Sequence, residues 1–186
     1  MKETQKNLRR AYAGESMARN KYTTFAGQAK KEGYQSIARI FEETADNERA
    51  HAKRLQEFMQ GEPSTELLDY TVAPISDTKE NLKEAIKGEH YENSQMYPLF
   101  KKIALKENQK KIASVFQEIS EVEEEHEKRY RSLLGNLKGG KMFKRTRAVK
   151  WKCLNCGYIH KGKSAPRVCP ACNHPQGFYE IWCKPY

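Results

Sequence analysis

Four long stretches of this sequence repeat apolar residues at intervals of three and four, the period of an amphipathic α-helix. The predicted helices cover about residues 3–31, 34–60, 77–107 and 108–134, and glycines at 33, 61 and 135 follow three of them. Near its middle, each apolar stripe contains glutamate. Uncompensated buried carboxylates cost several kcal/mol each, so a bundle built from these stripes needs a partner for its acids.

The acids on the stripes come with two histidines and with no lysine or arginine beside them. Residues at i and i+3 lie about 5–6 Å apart on one helix face, so Glu48 with His51, and Glu123 with His126, can each bind one metal. Di-iron carboxylate bundles use one such Glu-x-x-His from each of two helices and a single glutamate from each of the other two. The predicted ligands are Glu15, Glu48, His51, Glu89, Glu92, Glu123 and His126. The competing interpretation is a set of buried, hydrogen-bonded pairs.

Other side chains near these positions have two interpretations each. Tyr22 and Tyr97 are either hydrogen-bond donors to ligand carboxylates or ordinary core tyrosines. Pro98 is expected to bend the third helix, and a distortion there would make His90 a rival ligand. Acids that fall off the stripes are predicted to form a solvated face: Glu118, Glu121, Glu124 and Glu127.

The five cysteines all follow residue 150, and four of them form two C-x-x-C pairs separated by 12 residues. This spacing predicts one tetrahedral metal site on Cys153, Cys156, Cys169 and Cys172. The spacing alone leaves both zinc and iron open. Cys183 is predicted to be an unligated thiol.

The charge distribution divides the chain. Residues 1–134 hold 23 basic and 23 acidic residues, whereas residues 135–186 hold 11 basic residues and one acid, a net charge of +10. A basic linker is predicted at 136–150. The first twenty residues hold no apolar leader and no stretch has the length of a membrane span, so a cytoplasmic protein without membrane association is expected. Nucleic-acid binding by the basic tail is the least favoured partner hypothesis.

The chain resembles the rubrerythrins along nearly its whole length. The resemblance depends on motifs in the helices and in the cysteine region: Ala13-Gly14-Glu15-Ser16, Glu48-Arg49-Ala50-His51, Gly88-Glu89-His90-Tyr91-Glu92, Met96-Tyr97-Pro98, Glu123-Glu124-Glu125-His126, and Cys153-Leu-Asn-Cys156-Gly-Tyr158 with Cys169-Pro-Ala-Cys172. It implies a mostly α protein with a ferritin-like di-iron four-helix bundle at 1–135 and, after the linker, a rubredoxin-like domain at 151–186 that holds one iron on four cysteines. Zinc can substitute for this iron.

The resemblance also implies a function. The expected activity is reduction of hydrogen peroxide to water, with electrons relayed through the four-cysteine iron from a reductase or rubredoxin-type donor linked to NAD(P)H. A homodimer or larger assembly with electron transfer between subunits is implied. Glu92 and His51 are expected to exchange as iron ligands, and the residues proposed for catalysis are Glu92, His51, Tyr22 and Tyr97. The alternatives are a ferroxidase or iron store and, from another class, a zinc-ribbon binding protein.

Overall fold

The computed structural model describes residues 2–59, 61 and 72–183. Four long helical units form the first part of the chain: α1 (Glu3–Lys31), α2 (Gln35–Gln56), a third unit that begins with α3 (Thr78–Tyr91), and α5 (Lys110–Lys138). The Asp77 side chain accepts a hydrogen bond from the N–H of Glu80 and so caps α3. None of the helices described is long and apolar enough to cross a membrane.

The third unit is interrupted by one turn of π-helix. α3 leads into a π segment (Glu92–Met96), which is followed by α4 (Tyr97–Lys106). In the π segment the N–H of Tyr97 reaches the carbonyl of Glu92, and Pro98 directly afterwards has no N–H to donate. The expected distortion at Pro98 is therefore present, as an inserted residue.

The inserted residue changes which side chains face the core. A regular helix predicts that Met96, Leu99 and Ile103 lie on the buried apolar stripe of the third unit. Leu99 is instead 53% exposed, and the other two are only partly buried. The buried residues of α4 are the next ones along the chain: Tyr97, Phe100 and Ala104. This part of the predicted apolar stripe is wrong by one residue, because the extra residue of a π turn rotates the following side chains around the helix axis.

Two apolar clusters fill the bundle on either side of the acids. α1 packs along α2, and α5 packs against both α3 and α4. One cluster includes Phe25, Phe41 and Tyr130, and the other includes Leu8 and Phe116. The buried glutamates belong to neither cluster, so they form a polar layer between two dry ones. Most residues predicted on the first, second and fourth apolar stripes are buried. The exceptions are only partly buried: Tyr12, His51, Phe58 and Leu133.

Two helix ends differ from the predicted ones. α2 ends at Gln56, before the expected residue 60, and most of the connection at 62–76 lies outside the described residues. The prediction that the last helix stops at Gly135 is wrong, because α5 continues to Lys138. Leu134 and Leu137 pack against the bundle core there, which favours continuing the helix. The helix ends before Gly140, whose φ of 61° is left-handed.

The C-terminal part is a three-stranded antiparallel sheet in the order β2-β1-β3. Its strands are β1 (Lys144–Cys153), β2 (Ile159–Ser164) and β3 (Tyr179–Ile181). The segment predicted as linker at 136–150 is therefore largely structured: α5 covers 136–138 and β1 covers 144–150. One face of the sheet covers a small core around Trp151, Cys153, Cys169 and Tyr179, all fully buried.

The two parts of the chain touch through a small contact. The ring of Tyr34 stacks on that of Phe143 with centroids 6.2 Å apart, and the guanidinium of Arg39 lies 3.2 Å from the carboxylate of Glu180. Gly177 packs directly against the backbone of Gly33.

Replacing Gly177 with alanine is expected to destabilise the protein by about 1–3 kcal/mol, since a Cβ there would lie 2.1 Å from the carbonyl oxygen of Gly33. Gly135→Ala is the matched control. It adds a Cβ in open space within α5 and should stabilise by about 0.5–1 kcal/mol. Urea unfolding measures both, and equal effects from the two substitutions would contradict the contact at Gly177.

Candidate metal centres

The polar layer of the bundle gathers buried side chains from α1, α2, α3 and α5. Glu15, Glu48, Glu89 and Glu123 are each at most 1% exposed, and His126 is 3% exposed. Helix periodicity places each of them on the inner face, and the apolar clusters above and below hold the layer away from water.

The layer divides into two groups of four ligands that share two members. One group is Glu15, Glu48, His51 and Glu123, and the other is Glu48, Glu89, Glu123 and His126. Within each group, one ligand atom per residue lies within 4.8 Å of the rest. Two adjacent metal positions with two shared glutamates are therefore available.

The shared glutamates turn one oxygen toward each histidine. Glu123 places Oε1 2.9 Å from Nδ1 of His51 and Oε2 2.7 Å from Nδ1 of His126. Glu48 does the same, with Oε2 3.0 Å from His51 and Oε1 3.4 Å from His126. This is the orientation that a carboxylate needs to bridge two metals.

Each unshared glutamate receives a hydrogen bond from a buried tyrosine. The hydroxyl of Tyr97 donates to Oε1 of Glu15, and that of Tyr22 donates to Oε1 of Glu89. Both phenols are fully buried, and burial, followed by the nearby acids, raises their pKa well above the usual value. Both tyrosines are therefore neutral donors that orient these two carboxylates, and the π turn is what brings Tyr97 inward.

Without a cation, this layer is electrostatically strained. Burial raises the pKa of Glu15 to about 7 and that of Glu89 to about 8. Burial would lower the pKa of His126, but the carboxylates around it, Glu123 first, raise it to about 12. Several buried atoms form no hydrogen bond of acceptable geometry, even where another ligand side chain is close: Oε2 of Glu15, Oε1 of Glu48, Oε2 of Glu89, both oxygens of Glu123 and Nδ1 of His126.

These unpaired atoms indicate whether the polar layer can hold metal ions. Buried polar atoms are ordinarily hydrogen-bonded, and these six unpaired atoms all belong to residues of the two ligand groups. Carboxylate and imidazole together suit first-row transition metals such as iron. The residues therefore fit a pair of such ions. Glu15 and His51 would bind the first ion, and Glu89 and His126 would bind the second. Glu48 and Glu123 would bind both.

Glu92 is the predicted ligand that the structure does not bring into either group. It lies in the π segment and is only partly buried. Burial and the neighbouring acids, Glu89 first, raise its pKa well above the usual value, so its carboxyl is close to the layer. Glu92 also lines a cavity of about 870 Å³ between α1 and the third unit, which Met17, Phe25 and Phe100 line as well. Its role as a ligand stays a prediction.

The sequence patterns do not predict the contacts of two further residues close to the polar layer. The side-chain amide of Asn47 lies 3.1 Å from Nε2 of His126, which fixes the ring with Nδ1 toward the acids. Glu127, predicted to be solvated, is buried. It accepts hydrogen bonds from Asn93 (2.8 Å) and Arg131 (2.7 Å) and lies 3.2 Å from Nδ1 of His90. That position of His90 shows why it is not a rival ligand: it faces away from the layer.

Glu127→Ala is expected to lower the stability of the metal-free protein by about 1–3 kcal/mol, because it leaves Asn93 in the π segment without its acceptor. Glu125→Ala, two residues away and 71% exposed, should change stability by less than about 0.5 kcal/mol. Urea unfolding of both variants measures the difference. Similar values would mean that Glu127 does not tie α5 to the π segment.

The four predicted cysteines converge at one end of the sheet. Sγ of Cys153 lies 3.8 Å from that of Cys172, and Sγ of Cys156 lies 3.7 Å from that of Cys169. Metal–sulfur bonds of about 2.3 Å in a tetrahedron separate the sulfurs by about 3.8 Å, so these four thiols fit one metal ion. Cys183 is exposed and outside the group.

The backbone prepares the two C-x-x-C loops in the same way. Gly157 and Asn173 follow the second cysteine of each loop and have φ of 79° and 58°. This left-handed turn directs the next N–H back toward sulfur. The N–H of His174 lowers the pKa of the Cys172 thiol to about 6, so this cysteine is prepared to bind metal as thiolate.

A helical bundle with a paired carboxylate–histidine site, followed by a four-thiolate domain, defines a two-domain metalloprotein. The rubrerythrin family model matches residues 6–134, and the model of the rubrerythrin rubredoxin-like domain matches residues 151–180. The chain belongs to the rubrerythrin family, with a ferritin-like di-iron domain and a rubredoxin-like iron domain.

Similar proteins cover almost the whole chain. Rubrerythrin of Nitratidesulfovibrio vulgaris (strain Hildenborough) is 48% identical over 178 residues, which cover 96% of this chain and 93% of that protein. Rubrerythrin-1 of Clostridium acetobutylicum (strain ATCC 824) is 48% identical over 188 residues, covering 99% and 96%. The solved structure of fully reduced, all-ferrous nigerythrin is 33% identical, with a TM-score of 0.66 and coverage of 96% and 86%.

Proposed function

We propose that this protein is a non-haem iron peroxidase that reduces hydrogen peroxide to two water molecules in defence against oxidative stress. The observation that carries the proposal is the pair of ligand groups joined by Glu48 and Glu123. Reduction of one peroxide consumes two electrons and two protons, and a paired site suits a two-electron step. When bound, two ferrous ions supply both electrons together, and the thiolate-bound iron supplies replacements one at a time.

The side chains of the protein would position the metal ions, keep water out of the polar layer and supply the protons that the reaction consumes. Glu48 and Glu123 would hold both metal ions in common, while Tyr97 and Tyr22 keep the outer carboxylates in place. The apolar clusters exclude water from the layer. Glu92 lines the cavity, and burial together with the acids of the layer, Glu89 first, raises its pKa, so it is our first candidate to carry protons from solvent to a peroxide oxygen. Tyr97 is the second candidate for this role.

The proposed partners follow from the same reaction. A separate redox donor, either a reductase or a rubredoxin-type protein drawing on NAD(P)H, would deliver electrons to the four-cysteine iron. We also propose a homodimer or larger assembly in the cytoplasm, with electron transfer between subunits. Apolar side chains exposed on the bundle, among them Tyr91, Leu99 and Leu105, support an assembly because they offer a surface to cover.

A comparison of oxidants tests the proposal. The protein is loaded with iron, reduced anaerobically, and mixed in separate experiments with hydrogen peroxide and with oxygen-saturated buffer at equal concentrations. The peroxidase hypothesis predicts that peroxide oxidises the bundle site at least about tenfold faster, with two electrons taken per peroxide. Faster oxidation by oxygen, together with uptake of many more irons than the three sites hold, would instead identify a ferroxidase or iron store.

A further inference from the structure

The outer face of the small sheet carries four lysines, which we call the basic sheet face: Lys150, Lys152, Lys161 and Lys163. Side chains alternate across a strand, and in β1 the inward residues Trp151 and Cys153 are fully buried. Lys150 and Lys152 therefore point the other way. On β2, Lys161 pairs with Lys150 in the antiparallel register, and Lys163 lies on the same side.

The domain provides almost nothing to neutralise this face. Lys150 and Lys161 are directly opposite each other, and like charges in that position are destabilising. Glu180 pairs with Lys152 in the register of β1 and β3, but it is the one acid of residues 135–186 and it also binds Arg39 at 3.2 Å. The ammonium of Lys150 lies 4.9 Å from the ring centre of Trp182, a contact that leaves its charge in place.

A purely structural explanation covers only half of the face. Lysines on an edge strand discourage unwanted pairing with another sheet, and β2 is an edge strand. That explains Lys161 and Lys163. It does not explain Lys150 and Lys152, because β1 is the central strand and has partners on both sides.

The basic sheet face lies behind the four-cysteine site. Lys152 is directly followed in β1 by Cys153, whose sulfur is on the inner side of the sheet. A protein bound on the outer face would be separated from that cysteine by the thickness of one strand. This closeness to the four-cysteine site suits a partner that delivers electrons. A nucleic acid bound by the same lysines would have no need to lie near that site.

We infer that the basic sheet face is the docking site for the electron donor and that this donor is a small one-electron protein with an acidic surface. This inference rests on the proposed function. Each donor molecule would give up one electron and leave in its oxidised form, so two encounters supply the two electrons for one peroxide. Opposite charges would accelerate the encounter and make it sensitive to salt.

Charge reversal tests the inference on the full-length, iron-loaded protein. The probe is an acidic rubredoxin, and its binding is measured by calorimetry between about 20 and 300 mM salt. The variant is Lys150→Glu with Lys161→Glu. The matched control is Lys79→Glu with Lys111→Glu, two exposed lysines in the first turns of α3 and α5, which changes the net charge equally.

The expected result is at least about tenfold weaker binding by the sheet variant, with a flatter salt dependence, and less than about threefold change in the control. Equal weakening in both variants, or unchanged binding in the sheet variant, would overturn the inference. Tighter binding of a 20-base-pair DNA duplex than of rubredoxin, lost in the same variant, would overturn it in favour of a nucleic-acid surface. Peroxide oxidation of wild-type protein reduced directly with dithionite is measured alongside, and its failure would remove the proposed function without altering the binding result.

Discussion

Glu123→Ala will remove the two-metal site of the bundle while the four-cysteine site keeps its iron. Glu123 is fully buried and supplies one oxygen to each ligand group, so its loss leaves both groups with three ligands and one bridge. Iron content should fall from about three to about one per chain, and peroxide turnover should fall by at least about 100-fold. Iron analysis and a peroxidase assay on the same preparation measure both effects.

The control for this substitution is the neighbouring residue. Glu124 is 55% exposed and pairs with Lys128, so Glu124→Ala should keep all three irons and nearly full activity. Circular dichroism should show the same helix content in both variants, because the two apolar clusters do not include the acids. Two bundle irons and full activity in Glu123→Ala would refute the assigned site.

Cys169→Ala will abolish the thiolate-bound iron and unfold the C-terminal domain. Cys169 is fully buried in a core of few residues, and a metal in such a domain contributes roughly ten kcal/mol to its folding. The bundle should keep its helices and its two irons. Donor-driven peroxide turnover should therefore drop to background, while a single oxidation of chemically reduced bundle by peroxide persists.

Cys183→Ala separates this effect from the general loss of a thiol. Cys183 is exposed and lies outside the ligand group, so this variant should keep its iron, its visible absorption and its turnover. Visible spectra and donor-driven assays compare the two variants. Normal donor-driven turnover in Cys169→Ala would mean that electrons reach the bundle without the four-cysteine iron.

Sequence periodicity is sufficient to bring together most residues of the candidate site because they lie on regular helices. Glu15, Glu48 and Glu123 fall where steps of three and four place them, and the Glu-x-x-His spacing brings each histidine to the same face. The grouping of the four cysteines can be predicted equally well, because a short C-x-x-C loop constrains the positions of its two sulfur atoms.

Periodicity failed where the backbone departs from the α-helical repeat. The π turn inserts one residue, so Tyr97 faces the core in place of Met96. Glu92, the first residue of that turn, lines the cavity, and its role as a ligand stays a prediction. Pro98 signalled a distortion but not its kind. Glu127 was missed for another reason: its burial depends on Asn93 and Arg131, and contacts between helices have no period along the chain.

The visible spectrum of the fully reduced, iron-loaded protein during anaerobic addition of peroxide tests the central claim most directly. The thiolate-to-iron absorption is bleached at the start, and we predict that it returns completely by about 1.5 equivalents of peroxide, because three irons give up three electrons. In Glu123→Ala the return should be at least about 100-fold slower. A return equally fast in that variant would show that peroxide does not react at the bundle site, and a colourless protein containing zinc alone would contradict the electron relay.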